Sequence, residues 1–294
     1  MLAFYYAVAV IGQVTQASFM KLNNKTPEGD VVRFSFFKAF FAFLLFFLLF
    51  FVTRDTFHLP TMLYGILFGV CIACSSFFGY RALGIGPLSL TYMLFNFCIV
   101  ISCLYGVILQ HNTVTLSWYL GFALMFASMA LLNFKFGKKK DVQGEQKGAL
   151  SLKWAILVAI TILGDGFCQI SQTAHQSAYP ELHQVGFMMW AMLTWSVIFL
   201  AIALFTGKLR MSRRYLRSDL YAAGSGLSNS LANFFILKLA AMSAATLLFP
   251  TLSVVTMLAA LLAGIIFFRE KLSLTQIAGF LLGAGSIFLM KVQF

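Results

Sequence analysis

Asp165 heads a set of polar side chains in an otherwise apolar stretch, LGDGFCQISQTAHQ, from Leu163 to Gln176. In a helix, positions 165, 169, 172 and 176 recur at i, i+4, i+7 and i+11, so Asp165, Gln169, Gln172 and Gln176 share one face. A carboxylate in line with carboxamides can hold a cation or a proton and hydrogen-bond a polar solute. Gln13 and Gln16, spaced i, i+3, form a second such face near the start of the chain. Ser225, Asn229 and Asn233 recur near every fourth residue of SGLSNSLANFF, and Tyr92 and Asn96 are spaced i, i+4. Lys38 lies inside RFSFFKAFFAF, and Trp190 stands with Trp195 among Met188, Met189 and Met192.

Gln13, Gln16, Lys38, Tyr92, Asn96, Asp165, Gln169, Gln172, Trp190, Asn229 and Asn233 are the expected substrate contacts. Asp165 serves a cation or proton, the amides act as neutral hydrogen bonders, and the aromatics stack on apolar parts of a solute. Lys38 meets either a substrate carboxylate or Asp165. The competing reading of the same groups is helix–helix hydrogen bonding, with Lys38 snorkelling to the membrane interface. His175 and His183 fall near the ends of apolar runs and read as loop or interface residues. Catalytic sets do not assemble. The four His and nine acidic residues are scattered, none with metal-ligand spacing. Cys71 and Cys74 form a C-x-x-C without a partner pair and read as small packing residues. No nucleotide-binding motif occurs, so neither a metal, a cofactor nor ATP is expected.

Such polar faces need elements that hold them away from lipid. Of 294 residues, 61% are hydrophobic and 10% charged, whereas a soluble domain is about 25% charged. The apolar residues come in blocks of about 20, the length of helix that crosses a bilayer. Backbone groups in lipid must be satisfied within their own segment, so the blocks are expected to be helices. Ten such spans lie at roughly 2–22, 31–52, 61–81, 88–110, 115–134, 154–176, 184–206, 218–238, 244–267 and 273–291. The expected class is therefore an all-α integral membrane protein.

One long polar interruption, residues 135–153, reads as a basic, solvated linker. It divides the chain into halves of five spans, 1–134 and 154–294. The halves resemble each other. A shift of 157 brings Tyr64 onto Tyr221, Gly69 onto Gly226 and Phe77-Phe78 onto Phe234-Phe235, and Gly121 meets Gly279 one residue further on. The sixth span corresponds to the first, with Gly12 beside Gly164. An odd number of spans per copy makes the second copy enter the membrane from the opposite side. The expected architecture is an inverted repeat, which places a solute site near the midplane between the copies.

This layout resembles the drug/metabolite transporter superfamily, in its EamA-like branch. The resemblance is sharpest at REKLSLTQIAGFLLGAG, Arg269 to Gly285, with Pro250 in the ninth span. The first half departs from it, carrying Asn112 and Met93 where the second has Glu270 and Pro250. The resemblance implies a secondary transporter of a small organic metabolite, working by alternating access. The polar faces suggest a polar, cationic or zwitterionic solute, with proton coupling or exchange as the energy source. It also implies that spans 5 and 10 buttress the halves and offer a homodimer contact. Two alternatives stay open: an antiporter of phosphorylated sugars or nucleotide sugars, recruiting Lys38, Arg33 and Lys238, and a lipid-modifying membrane enzyme or non-transporting scaffold.

Sixteen of the 21 Lys and Arg residues fall in loops after odd-numbered spans, against three on the other side: Arg54, Lys238 and Lys291. The positive-inside rule then puts both termini outside, while the resemblance implies termini inside. The net charge of +12 is explained by basic loops against anionic lipid, with no nucleic-acid partner required. A multi-pass protein of a bacterial inner or cell membrane is expected.

Overall fold

The computed structural model describes residues 1–23, 26, 30–85, 91, 94–133, 152–209, 215–268 and 274–291. Those residues form ten α-helices and no strand. In chain order they are α1 (Leu2–Asn23), α2 (Val31–Val52), α3 (Leu59–Ile85), α4 (Cys98–Ile108), α5 (Leu116–Asn133), α6 (Leu152–Ala178), α7 (Gln184–Phe205), α8 (Leu216–Met242), α9 (Ala245–Phe268) and α10 (Leu274–Lys291). Five of them, α1, α2, α3, α6 and α7, are long and apolar enough to cross a membrane. Shorter apolar stretches occupy α4, α5, α9 and α10. The all-helical expectation therefore holds.

Two compact units divide the chain: Met1–Phe77 with Phe167–Ser243, and Phe78–Gly166 with Ala244–Phe294. They are not the two sequence halves. Each draws on both halves, and α3 and α6 each contribute to both units.

The first unit is built on helix contacts that are close because the residues there are small. Helix α2 runs parallel to α8: Arg33 meets Asp219, Lys38 meets Gly226, and the Phe46 ring lies 5.7 Å from that of Phe234. A Cβ at Gly226 would overlap the Lys38 carbonyl, so only glycine admits this approach. In the same way α3 runs parallel to α7, with Gly69 against the Ala191 carbonyl, where a Cβ would sit 2.5 Å away. Helices α1 and α8 pack antiparallel. The Ser225 hydroxyl bonds to the Gln16 carbonyl at 3.4 Å, and that of Ser218 to Asn23 Oδ1 at 2.7 Å. Helices α3 and α6 are also antiparallel, through Cys168 to the Phe68 carbonyl at 3.6 Å and Thr61 to His175 at 2.9 Å. Phe46, Phe68, Phe187, Phe199 and Trp195 are buried among them. Between apolar helices in lipid, dispersion packing of this kind replaces the hydrophobic effect as the cohesive term.

The second unit joins α4 to α9 and α5 to α10. Gly121 rests on the Ser286 carbonyl, where a Cβ would lie 2.8 Å away, and Ser128 donates to the Gly279 carbonyl at 2.6 Å. Trp118 Nε1 donates to the Thr246 carbonyl at 2.9 Å. Trp154 is buried and donates to Thr91 at 3.1 Å. Within the expected span 88–110, the described residues Thr91, Leu94 and Phe95 are helical, Asn96 and Phe97 form a turn, and α4 runs on from Cys98. Around that turn Phe97, Ile99 and Val100 each bond three residues back, to Leu94, Asn96 and Phe97. These tighter bonds put Asn96 in a turn instead of on a helical face.

Candidate functional site

Lys38 occupies the middle of the first unit. Asp30 caps α2, accepting from the Val32 amide at 2.9 Å and the Arg33 amide at 3.1 Å, and this fixes where the helix starts. Two turns in, Lys38 is only 8% exposed. It does not snorkel. Its ammonium donates to Gln16 Oε1 at 2.9 Å and stands 5.3 Å from the centre of the Trp195 ring. Helix α8 supplies the neighbouring wall. One turn beyond Gly226 comes Asn229, and Asn233 follows; the Asn233 amide donates to the Asn229 carbonyl at 2.9 Å and to its Oδ1 at 3.2 Å. Gln172 reaches across from α6 to Asn233 at 3.4 Å.

Five of the expected contacts, Gln16, Lys38, Gln172, Asn229 and Asn233, thus enter hydrogen bonds inside one unit. Gln13 and Gln169 belong to the same unit and are half-buried. Trp190 does not join the cluster: its Cβ packs on Gly65 and its ring meets Phe57 edge-on at 6.2 Å. Asp165 and Asn96 belong to the second unit, where Asp165 is half-buried and Asn96 Oδ1 accepts from Ser253 at 3.2 Å. Tyr92 lies outside the described residues.

Two features were missed in the sequence. Trp195 is 1% exposed, and its Nε1 has no hydrogen-bond partner among the described residues; the same holds for Asn229 Nδ2. A tryptophan five residues after Trp190 carried no signal of facing Lys38. The second feature is a polar chain at one end of the unit. Asp55 accepts from the Gly186 amide at 2.9 Å and meets His183 Nδ1 at 2.9 Å. His183 stacks on His58 at 4.6 Å, and His58 meets Thr61 at 2.9 Å. Thr61 meets His175, which is fully buried, and His175 meets Gln176 at 2.8 Å. Gln176 accepts from Gln184 at 2.9 Å. His175 is therefore an interior residue, not a loop or interface one, because Thr61 and Gln176 give both ring nitrogens partners in place of water. Beside this chain a cavity of about 110 Å³ is lined by Tyr5, Glu181, Gln184, Lys238 and Met242.

The opposite end is fastened by permanent ions. Arg33 grips Asp219 through Nε at 2.9 Å and through its terminal nitrogen at 2.7 Å, and lies 4.5 Å above the Tyr215 ring. Lys208 meets Asp30 at 2.7 Å. No group of three or more His, Cys, Asp or Glu among the described residues could hold a metal ion.

No family model matches the chain, and no curated protein does. Among solved structures, one described only as a crystal structure of a protein aligns with 99% of this chain and 97% of its own, at a TM-score of 0.74 and 9% identity. That similarity extends over the whole chain and concerns the fold alone.

Proposed function

We propose that the chain is a secondary transporter of a small polar organic solute, built as two inverted five-helix repeats that expose a buried site alternately to each side of a membrane. The observation that carries this reading is a reciprocal contact. Gly279 and Ser286 lie 158 residues after Gly121 and Ser128. Gly121 packs on Ser286, and Ser128 bonds to Gly279. Reciprocity of this form is what a two-fold axis through a pair of equivalent surfaces produces.

The first unit repeats the pattern. Ser218, Ser225 and Gly226 lie 157 residues after Thr61, Phe68 and Gly69. Their partners Asn23 and Gln16 stand 152 residues before His175 and Cys168, and Lys38 stands 153 before Ala191. The bonds Ser218 to Asn23 and Ser225 to Gln16 thus have counterparts in Thr61 to His175 and Cys168 to Phe68. The Gly226–Lys38 crossing has its counterpart in Gly69–Ala191. Ten spans, the EamA-like resemblance and alternating access form one consistent reading of these pairs.

A buried polar cluster centred on a lysine gives such a protein something to carry. An ionisable group inside a membrane span marks a solute or ion path by default. The antiporter of phosphorylated solutes is the weaker reading, because Arg33, one of its three expected cations, is already neutralised by Asp219. The test is a thermal-shift screen of the purified chain against polar metabolites, followed by uptake of each hit into proteoliposomes. Uptake that saturates and that competing solute inhibits is expected. If no stabilising solute is taken up faster than by protein-free vesicles, the reading fails.

A further inference from the structure

Lys38 is buried, and no carboxylate among the described residues of its unit forms an ion pair with it. Among the described residues of that unit, each aspartate is already engaged elsewhere: Asp30 pairs with Lys208, Asp219 with Arg33, and Asp55 meets His183 and the Gly186 amide. Among the described residues, the Lys38 ammonium meets a neutral carboxamide oxygen and the face of an indole. A carboxamide accepts one of its three N–H groups and leaves its charge uncompensated. Burial of an uncompensated ion is unfavourable, and a span that retains one has a use for it.

Two further donors have no acceptor among the described residues. Trp195 Nε1 belongs to the ring over which the ammonium stands, and the side chain is 1% exposed. Asn229 Nδ2 sits one turn beyond the glycine that touches the Lys38 backbone, on a side chain 4% exposed. A lone buried N–H costs as much as a lost hydrogen bond, and both side chains belong to the unit in which Lys38 is buried. All three groups donate, and one is a cation. The matching ligand is an acceptor-only anion with several lone-pair directions.

We propose that Lys38, Trp195 and Asn229 form an anion subsite that receives the carboxylate of the transported solute. One carboxylate oxygen accepts from the Lys38 ammonium. The Trp195 and Asn229 N–H groups supply the remaining bonds, and Gln16 holds the lysine in place when no solute is bound. A carboxylate suits this set better than a phosphate monoester, whose two negative charges would face one cation. The inference rests on the transporter reading and narrows its solute to one with an ionised carboxyl group.

The test pairs each acid with its uncharged isostere: butyrate with butyramide, and benzoate with benzamide. Thermal stability of the purified full chain and its tryptophan fluorescence are measured with each. The carboxylates are expected to raise the melting temperature and shift the fluorescence, with the amides at least tenfold weaker. In Lys38→Met the carboxylate response is expected to vanish while the ligand-free melting temperature holds or rises, since an uncompensated buried charge has gone. Trp195→Phe keeps the ring and removes the donor, and is expected to weaken the carboxylate response without loss of fold. Equal responses to acids and amides, or a carboxylate response surviving in Lys38→Met, would overturn the subsite. A Lys38→Met chain that melts lower and binds butyrate as wild type does would assign the lysine to packing. Carboxylate binding without vesicle uptake of any solute would sink the transporter reading and leave the subsite standing. Uptake of a solute lacking a carboxyl group, unaffected by Lys38→Met, would do the reverse.

Discussion

Ser128 donates its hydroxyl to the Gly279 carbonyl at 2.6 Å, and both residues are packed where α5 crosses α10. Ser128→Ala removes a buried hydrogen bond, for an expected loss of about 1 kcal/mol. Gly121→Leu strikes the Ser286 carbonyl and the Met290 side chain and is expected to cost about 1–3 kcal/mol, as overpacking does. Unfolding of purified protein in a mixed-micelle denaturant titration measures both. A leucine tolerated at 121 without loss would mean that α5 and α10 do not approach this closely.

Arg33→Met is expected to be among the most damaging single changes. It leaves Asp219 without its bidentate partner, and breaking one side of a largely buried ion pair costs about 3–5 kcal/mol. The double variant Arg33→Met, Asp219→Leu removes both charges and should regain most of the loss. A double variant as unstable as the single one would show that Arg33 acts through its stacking on Tyr215 and Phe37 instead.

At the Gly226 crossing, Gly226→Val is expected to push α8 off α2, since any Cβ overlaps the Lys38 carbonyl. The fold should suffer by a few kcal/mol, the range typical of overpacked cores, and Gly69→Val should behave alike. A variant stable at one site but not at the other would count against the equivalence of the two crossings.

Asp30 supplies a pH dependence with a defined sign. Burial acts to raise its carboxyl, but the Lys208 ammonium and the amides of Arg33 and Val32 outweigh it and hold the group below its ordinary value of 3.8. Its stabilising contribution is therefore complete above that value and is lost as pH falls through the lowered one. Both side chains are partly exposed, so the amount is under about 1 kcal/mol. Asp30→Asn should leave a melting curve that no longer falls over that acid range from this source. An unchanged acid limb would contradict the assignment.

The helical class was legible because it rests on block length, and the closest helix crossings because they rest on small residues. Gly69, Gly226, Gly121 and Gly279 were matched by number before their contacts were known, and each sits at a helix crossing. Polar faces were legible as faces, since Gln16, Gln172, Asn229 and Asn233 all turn inward. Their partners were not. Periodicity locates a residue on its own helix but carries no information about which helix lies opposite, so neither the Trp195 ring near Lys38 nor the bond from Lys38 to Gln16 could be read from it. The histidines were hidden for the same reason: His58 stands more than a hundred residues before His175 and His183.

Those histidines make the first unit chemically lopsided along its length. One end is held by ion pairs, Arg33 with Asp219 and Lys208 with Asp30. The other is held by rings and hydroxyls, with His58 lying flat on His183 and Thr61 joining His58 to the buried His175. Added salt screens exposed charges, so it reaches the half-exposed Lys208–Asp30 pair and passes over the stacked rings. The bundle is thus riveted along one edge and laced along the other.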